Sequence, residues 1–335
     1  MADGTPARDG AGSLRAAYLP MTGERAGTVV LVGLGEVGGV MARELSDLGV
    51  RVRAVDGRLQ HPATSASAGE LGIDVEPSLS LSPDEAGVVL SCVPGRAALG
   101  VAEYILPSIE GRSFAYADLT AKPVAVRDDI ARLCAESRVL FADIALCDPI
   151  TWPGDVELIT SGPGTPALER LFAGTRFKVT AVSTSRCLSS EIKLCRSTFT
   201  KGLSALLIET LAAASALGTV EVVFAGISRL LDAGGERVTE LLVGTALQHA
   251  GRRAEEARAA EHLMLSLLGS APMAGASAVA WQDIARAAAG SSAGPARPWR
   301  DALQMLAHEP SEPAPSETGP ARYRPVQTTI RGAAS

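Results

Sequence analysis

The 335-residue sequence lacks several features that mark large classes of proteins. No apolar run approaches the roughly 20 residues of a membrane-spanning helix, and no apolar segment near the N-terminus resembles a secretory signal. The net charge is −6 and basic residues do not cluster, which argues against nucleic acid as a partner. We therefore expect a cytoplasmic protein that acts on a small molecule, with no membrane partner.

Cysteine and histidine are also scarce. The five cysteines are odd in number and form no Cys-x-x-Cys pair, a usage typical of free thiols in a reducing compartment. The four histidines show no metal-ligand spacing. We therefore predict neither a structural nor a catalytic metal ion.

The chain does contain enough apolar residues, 47%, for the cores of about two domains. Short β-branched runs alternate with helical segments in the first half, and helical segments alone follow. This order predicts a doubly wound α/β Rossmann-type sheet, a long interdomain helix and an all-α domain. The predicted boundaries are a disordered tail at 1–26, a nucleotide-binding domain at 27–188, the interdomain helix at 189–217, the all-α domain at 218–307 and a second disordered tail at 308–335.

The first predicted strand, residues 28–32, leads directly into a glycine-rich turn and a helix. The turn has the pattern Gly-x-Gly-x-x-Gly, which is meaningful in this strand-to-helix context. Gly33 allows a tight turn, Gly35 lets a pyrophosphate approach the backbone, and Gly38 lets the helix lie close to the strand. Backbone N–H groups at the start of the helix would bind the phosphates. The predicted cofactor contacts here are Gly33, Leu34, Gly35, Glu36, Val37 and Gly38.

Two residues after the second predicted strand, 50–55, bear on the choice of cofactor. Asp56 stands about twenty residues beyond the fingerprint, where a carboxylate binds the adenosine ribose and repels a 2′-phosphate, which favours NAD. Arg58 would pair with that phosphate and favours NADP. The residues therefore leave NAD and NADP open. Val93, Pro94 and Thr120 follow later strands, at the edge of the sheet where ligands bind, and are further candidate cofactor contacts.

The longest predicted helix, residues 189–217, carries an unusual polar stripe. Ser189 or Ser190 can cap its start, and beyond Leu206 it is apolar nearly all round, which predicts burial. Lys193, Ser197, Thr200, Lys201 and Ser204 share one face of the helix. Such a stripe is ordinarily a solvated face. However, the helix holds two of only four lysines in the chain, close to a helix N-terminus that disfavours positive charge.

This order of elements resembles the β-hydroxyacid dehydrogenase and 6-phosphogluconate dehydrogenase superfamily, over about residues 28–289. Residues 32–38 resemble its cofactor fingerprint, and residues 143–149 occupy the place of its Asp-x-x-Val-Ser-Gly-Gly substrate loop. Residues 193–197 stand where the family has Lys-x-x-x-Asn. Residues 193–203, with 161–164 and 251–256, resemble a bacterial subgroup of uncharacterised function that has a variant helical C-terminal domain.

The resemblance implies that NAD or NADP is bound and that the helical domains pack together in a homodimer. It also implies that Lys193 is the general acid and base. A lysine in that role needs a lowered pKa, and we expect burial together with Arg196 or Lys201 to lower it. Ser197 replaces the family Asn and would hydrogen-bond the substrate. The candidate substrate contacts are Cys147, Asp148 and Pro149, which replace the Ser-Gly-Gly that holds a substrate carboxylate, and Lys201.

We therefore predict an NAD(P)-dependent oxidoreductase that transfers a hydride between nicotinamide and a hydroxy acid or carbonyl compound. One alternative is an imine reductase of the same superfamily, although imine reductases generally carry Asp or Tyr where Lys193 stands. A second alternative is a non-catalytic protein that senses nucleotides or binds a partner. The intact fingerprint and the retained lysine favour an enzyme.

Overall fold

The computed structural model describes residues 27–57, 62–73, 75–81, 87–290 and 296–307. The chain forms two compact units, and the boundary between them follows Thr198. The predicted tails at 1–26 and 308–335 lie outside the described residues, as does Arg58. In the part of the chain that is described, no helix has both the length and the apolar character needed to cross a membrane.

The first unit is built on an eight-stranded sheet with the order β3-β2-β1-β4-β5-β6-β7-β8. The first six strands are parallel to their neighbours, whereas β7 is antiparallel to β6 and parallel to β8. The order reverses between β1 and β4, which creates a crevice at their carboxyl ends. The strands are β1 (Thr28–Val32), β2 (Val52–Val55), β3 (Val75–Glu76), β4 (Gly87–Ser91), β5 (Phe114–Asp118), β6 (Leu140–Leu146), β7 (Val156–Ser161) and β8 (Phe177–Ser183).

Helices cover both faces of this sheet. Val29 and Leu31 of β1 belong to one apolar core, whereas Val30 and Val32 belong to another. The continuous β-branched run of β1 is therefore buried on both sides, as a central parallel strand requires. The first core includes side chains of α1 and α5, and the second includes side chains of α3 and α4. The helices of this unit are α1 (Glu36–Asp47), α2 (Pro62–Leu71), α3 (Ala98–Ile109), α4 (Val124–Glu136) and α5 (Thr165–Leu171).

Every described secondary-structure element of the second unit is a helix, which confirms the predicted fold class. The boundary between the units falls inside the long helix α6, and Gly218 follows that helix with φ +69°. The Glu209 carboxylate accepts the N–H groups of Met273 and Ala274 at 3.0 and 2.8 Å and so caps α10. The helices are α6 (Ser189–Ala216), α7 (Val220–Asp232), α8 (Gly235–Thr239), a π-helix (Glu240–Gly244), α9 (Ala250–Leu268), α10 (Pro272–Gly290) and α11 (Trp299–Ala307).

Residues 238–251 do not form one continuous helix, although helical segments alone are predicted in this part of the chain. The chain passes from α8 into the π-helix and turns before α9 begins. The guanidinium of Arg253 donates to the carbonyl oxygens of Leu242 and Leu241 at 2.8 and 3.2 Å. The Arg253 side chain thus replaces hydrogen bonds that a regular helix would give these two carbonyl groups. The interruption of the helix therefore costs less free energy.

Candidate active site

The three glycines of the fingerprint have different structural roles. Gly33 has φ +93°, and a Cβ there would lie 3.0 Å from the Cys92 carbonyl oxygen. A Cβ on Gly38 would lie 2.1 Å from the Gly33 carbonyl oxygen, so that the start of α1 could not approach β1. A Cβ on Gly35, in contrast, would meet nothing within 4 Å. The fold itself requires Gly33 and Gly38, while the open space at Gly35 leaves room for a ligand.

Asp56, the predicted ribose ligand, lies directly after β2 and is 5% exposed. Its Oδ2 accepts a hydrogen bond from the Leu34 N–H at 3.0 Å and another from the Thr64 hydroxyl at 3.4 Å. The carboxylate is thereby joined to the fingerprint loop. Arg58, the residue that would favour NADP, lies outside the described part of the chain.

A cleft of about 260 Å³ lies at the carboxyl ends of β1, β4, β5 and β6. Among the described residues that line it, Lys193 is the only charged one. The cleft thus brings Lys193 together with four of the predicted cofactor contacts. Its lining includes Val37, Val93, Pro94, Thr120, Leu146 and Lys193.

Lys193 is the fifth residue of α6 and is half-buried. Burial lowers the pKa of its ammonium group below the ordinary lysine value, and the charge of Lys122 acts in the same direction. The expectation that Arg196 or Lys201 supplies the neighbouring cation is wrong. Arg196 is instead paired with two carboxylates, and Lys201 is an exposed residue of the second unit.

Lys122 is a buried cation near Lys193 that the sequence reasoning missed. Its side chain is fully buried, and its Nζ lies 3.1 Å from Asp118 Oδ2 and 3.2 Å from Asp143 Oδ1. Asp118 also accepts the Thr120 N–H at 2.9 Å and the Thr120 hydroxyl at 3.0 Å. The sequence did contain a sign of this cluster. Lys122 is one of only four lysines, and it stands between Asp118 and Asp143, which belong to successive strands.

The start of α6 is held by side chains from the sheet. Asp143 accepts the Ser190 N–H at 2.7 Å and the Ser190 hydroxyl at 2.8 Å. Ser161 Oγ accepts the N–H groups of Leu188 and Ser189 at 2.8 and 2.9 Å. The expectation that Ser189 or Ser190 supplies the capping side chain is therefore wrong, because acceptors in the middle of β6 and at the end of β7 occupy that role.

A second contact fixes the first turn of α6. The buried guanidinium of Arg127 on α4 binds the Glu191 carboxylate in bidentate fashion, at 2.5 and 2.8 Å. Together with the Asp143 cap, this pair ties the first turn of α6, directly before Lys193, to both α4 and the sheet. Such support from surrounding hydrogen bonds limits the movement of the helix start that precedes Lys193.

The predicted substrate loop follows β6. Asp148 Oδ2 accepts the Glu157 N–H at 3.1 Å, and Asp148 Oδ1 lies 3.4 Å from the Arg196 guanidinium. Arg196 also binds Glu157 Oε2 at 2.9 Å. Burial raises the pKa of the Cys147 thiol, while Arg196 and Lys193 act in the opposite direction. Cys147 therefore lies near Lys193, and Asp148 lies beside Arg196. Pro149 is exposed.

The remaining predicted residues are less well placed. Ser197 is half-buried on α6, one turn beyond Lys193. Lys201 belongs to the second unit and is not among the residues that line the cleft. Among the described residues, no group of three or more histidine, cysteine or acidic side chains is arranged to hold a metal ion.

Sequence comparison gives no matching family model and no matching curated protein. Structural comparison matches the imine reductase from Myxococcus stipitatus in complex with NADP+ (13% identity, TM-score 0.64, covering 83% of this chain and 99% of that one). Its V8 variant with NAD+ has 14% identity and a TM-score of 0.62, covering 84% and 99%. A reductive aminase from Aspergillus terreus with NADPH and ethyl levulinate has 17% identity and a TM-score of 0.61, covering 84% and 99%.

The fold is shared with imine reductases. The predicted resemblance is therefore confirmed at the level of the fold, which is what identities of 13 to 17% establish. The matches cover 83 to 84% of the chain, so they extend past Thr198 into the helical unit.

Proposed function

We propose that the protein is an NAD(P)-dependent oxidoreductase that transfers a hydride between nicotinamide and a carbonyl compound or alcohol. The observation that carries this proposal is the cleft, which places Lys193 beside Val93, Pro94 and Thr120 at the carboxyl ends of the strands. Ligands bind at that edge in sheets of this topology. The complexes of the M. stipitatus and A. terreus proteins with NADP+, NAD+ and NADPH support either cofactor.

The residues present suit a dinucleotide. Gly35 leaves the space that a pyrophosphate needs, and α1 begins directly after it, so its first N–H groups would face the phosphates. Asp56 would bind the adenosine ribose. When bound, the reduced cofactor supplies a hydride to the substrate carbon.

Lys193 would transfer the proton that accompanies the hydride. In the reductive direction its ammonium donates a proton to the substrate oxygen, and in the oxidative direction the neutral amine accepts one. A lowered pKa makes both forms accessible near neutral pH, and burial lowers it here. Ser197, on the next turn of α6, would donate a hydrogen bond to the substrate.

Imine reduction is a second candidate, because the fold is shared with imine reductases. A screen separates the two: carbonyl compounds, hydroxy acids and cyclic imines are each incubated with NADH, NADPH or the oxidised cofactors, and the nicotinamide absorbance is followed. We expect turnover of carbonyl compounds or alcohols. Turnover of cyclic imines alone would assign the second candidate, and cofactor binding without turnover of any class would favour a non-catalytic protein.

Replacing Gly35 by valine should abolish cofactor binding without unfolding the protein. The new side chain meets no protein atom within 4 Å at its Cβ, so it fits the fold but occupies the space proposed for the pyrophosphate. Calorimetry with NAD(H) and NADP(H) measures the binding, and circular dichroism verifies the fold.

Gly100→Val is the matched control for this substitution. Gly100 is exposed on α3, and a Cβ there also meets nothing within 4 Å. This variant should bind the cofactor as the native protein does. Native-like binding by Gly35→Val would show that the fingerprint is not the pyrophosphate site.

We also propose a homodimer formed through the helical unit. Burial was expected for the distal part of α6, yet Leu206 and Ile208 are 43% and 68% exposed in the single chain. Val222 and Phe224 of α7 are 76% and 53% exposed. An exposed apolar surface of this kind is typical of a protein–protein interface.

Sedimentation at micromolar concentration should therefore give about twice the chain mass of 34.5 kDa. Ile208→Glu and Val222→Glu should each shift the equilibrium toward the monomer, because an interface core disfavours charge. Tyr104→Glu is the control, since Tyr104 is 55% exposed but belongs to the first unit. A native protein that sediments as a monomer would contradict the dimer.

A further inference from the structure

Lys122 belongs to a buried cluster that borders the cleft. Residues 119–121 line the cleft, and the residues on either side of them, Asp118 and Lys122, form an ion pair of 3.1 Å whose side chains are both fully buried. We propose that Lys122 is a positioning residue that binds two carboxylates, those of Asp118 and Asp143. The ammonium group of Lys193 is thereby left without a carboxylate partner and available to the substrate. The catalytic consequence rests on the proposed function.

Lys122 is the cation that the two carboxylates share. Its Nζ lies 3.1 Å from Asp118 Oδ2 and 3.2 Å from Asp143 Oδ1. Within the described part of the chain, no other cation is paired with Asp118. Arg127 comes within 3.9 Å of Asp143, but the same nitrogen binds the Glu191 carboxylate at 2.5 Å. Without Lys122, both carboxylates would remain buried with too little positive charge, which is costly.

Asp143 connects this cluster to the helix that carries Lys193. It accepts the Ser190 N–H at 2.7 Å and the Ser190 hydroxyl at 2.8 Å. Ser190 precedes Lys193 by three residues, and residues at that spacing share one face of a helix. None of the described residues forms a hydrogen bond or an ion pair with the Lys193 ammonium group. Lys193 is therefore near two carboxylates that another cation already binds.

The groups around Lys193 have opposing effects on its ammonium group. Burial lowers the pKa of this group, and the positive charge of Lys122 lowers it further. Cys147, Asp143 and Asp118 act in the opposite direction. Burial raises the pKa of the Cys147 thiol, so that group is uncharged near neutral pH. The pKa of Lys193 thus depends on how far Lys122 offsets the two carboxylates.

Loss of Lys122 would leave Lys193 facing two buried carboxylates without their shared cation. The ammonium form of Lys193 would then be stabilised, and the neutral amine would form only at higher pH. Its proton would also be harder to donate to a substrate oxygen, which slows carbonyl reduction. Lys122 therefore acts on the reaction through Lys193, without contacting the reacting atoms.

Competitive acetylation of the full chain measures the pKa of each lysine without any turnover. The folded protein is treated with a trace of acetic anhydride over a range of pH, digested and analysed by mass spectrometry. Only the neutral amine reacts, so the midpoint of the rate against pH is the pKa. The chain has only four lysines, and the exposed Lys201 on the same helix is the internal reference.

Two substitutions should shift the pKa of Lys193 in opposite directions. Lys122→Met should raise it and slow the acetylation of Lys193 at neutral pH by roughly tenfold, because two carboxylates lose their cation. Asp118→Asn should lower it and speed the acetylation, because the charge of Lys122 is then opposed by one carboxylate fewer. Lys178→Met is the matched control: Lys178 pairs with Asp155 on the surface at 3.6 Å, and Lys193 should not respond.

Opposite shifts in the two variants would support the proposal. A general loosening of the structure would instead admit water to Lys193 and raise its pKa in both variants, and that result, or no shift in either, would overturn it. If Lys122→Met does not fold, Asp118→Asn decides alone, and the absence of a downward shift overturns the proposal. Circular dichroism verifies the fold of each variant.

The acetylation result does not depend on the proposed function, because it needs neither substrate nor cofactor. An active oxidoreductase whose Lys193 does not respond would keep the proposed function and lose this inference. Opposite shifts in a protein without turnover would have the reverse meaning. On a substrate found by the screen, the limb of the pH profile that belongs to Lys193 should move in the same direction as its pKa in each variant.

Discussion

Lys193→Ala should turn over its substrate roughly 10²- to 10⁴-fold more slowly than the native protein, which is the usual contribution of general acid–base catalysis. The loss should appear in kcat, because the proton transfer is completed only in the transition state. Cofactor affinity should change little, since the fingerprint loop and Asp56 are untouched. Steady-state kinetics on a substrate from the screen, with calorimetry for the cofactor, make the measurement.

Two controls distinguish proton transfer from a structural effect. Lys201→Ala removes a second lysine from the same helix, and any effect of it should appear in substrate binding and not in kcat. A small primary amine added to Lys193→Ala should restore part of the rate, because it can enter the space left by the side chain. A native rate in Lys193→Ala would end the proposed mechanism.

The pH profile provides an independent check. Carbonyl reduction needs the charged ammonium, so the rate should fall as pH rises through the pKa of Lys193. Alcohol oxidation needs the neutral amine, so that rate should rise through the same pKa. Because burial lowers this pKa, the limb should lie below the ordinary lysine value, and it should be absent from Lys193→Ala.

Local patterns were sufficient to predict the sheet. The β-branched run of β1 and the turn from Gly33 to Gly38 are contiguous in sequence, and the structure places them as a buried central strand and a close strand-to-helix turn. The long helix was predicted from its periodicity, and it ends at Ala216, one residue before the predicted end. Its polar stripe also identified Lys193, which the structure places in the cleft.

Elements without a strong apolar pattern were not predicted. The strand β3 has only two residues, and α2 and α5 are short helices whose burial depends on neighbours distant in sequence. The residues that cap α6 were also not predicted, because they too are distant in sequence from the helix start. Asp143 and Ser161 lie 47 and 28 residues before the N–H groups that they accept. A local capping rule chooses the nearest hydroxyl, whereas the fold brings a distant carboxylate to the same N–H group.

The buried cluster around Lys122 shows this limitation most clearly. Its three charges come from the end of β5 (Asp118), the segment that follows it (Lys122) and the middle of β6 (Asp143), and each is fully buried. Burying a charge is costly, so each of these side chains depends on the others. Asp143 also caps α6, and the cluster therefore connects the stability of the sheet to the position of Lys193.

Lys122→Met should destabilise the protein by about 3–5 kcal/mol, the range for a buried ion pair that loses one partner. Methionine retains most of the side-chain volume, so the loss reflects two buried carboxylates without a cation. Urea unfolding, followed by circular dichroism, measures the free energy. Lys178→Met is the control: its pair with Asp155 is 3.6 Å long and more than half exposed, so its effect should stay within about 1 kcal/mol.

A double substitution tests the cause of that loss. Asp118→Asn removes one of the two negative charges but keeps an acceptor for the Thr120 N–H, which lies 2.9 Å from Asp118 Oδ1. Lys122→Met combined with Asp118→Asn should therefore be less destabilised than the sum of the single variants, by about 1–3 kcal/mol. If the two effects simply add, the carboxylates do not depend on Lys122, and the loss in Lys122→Met comes from packing alone.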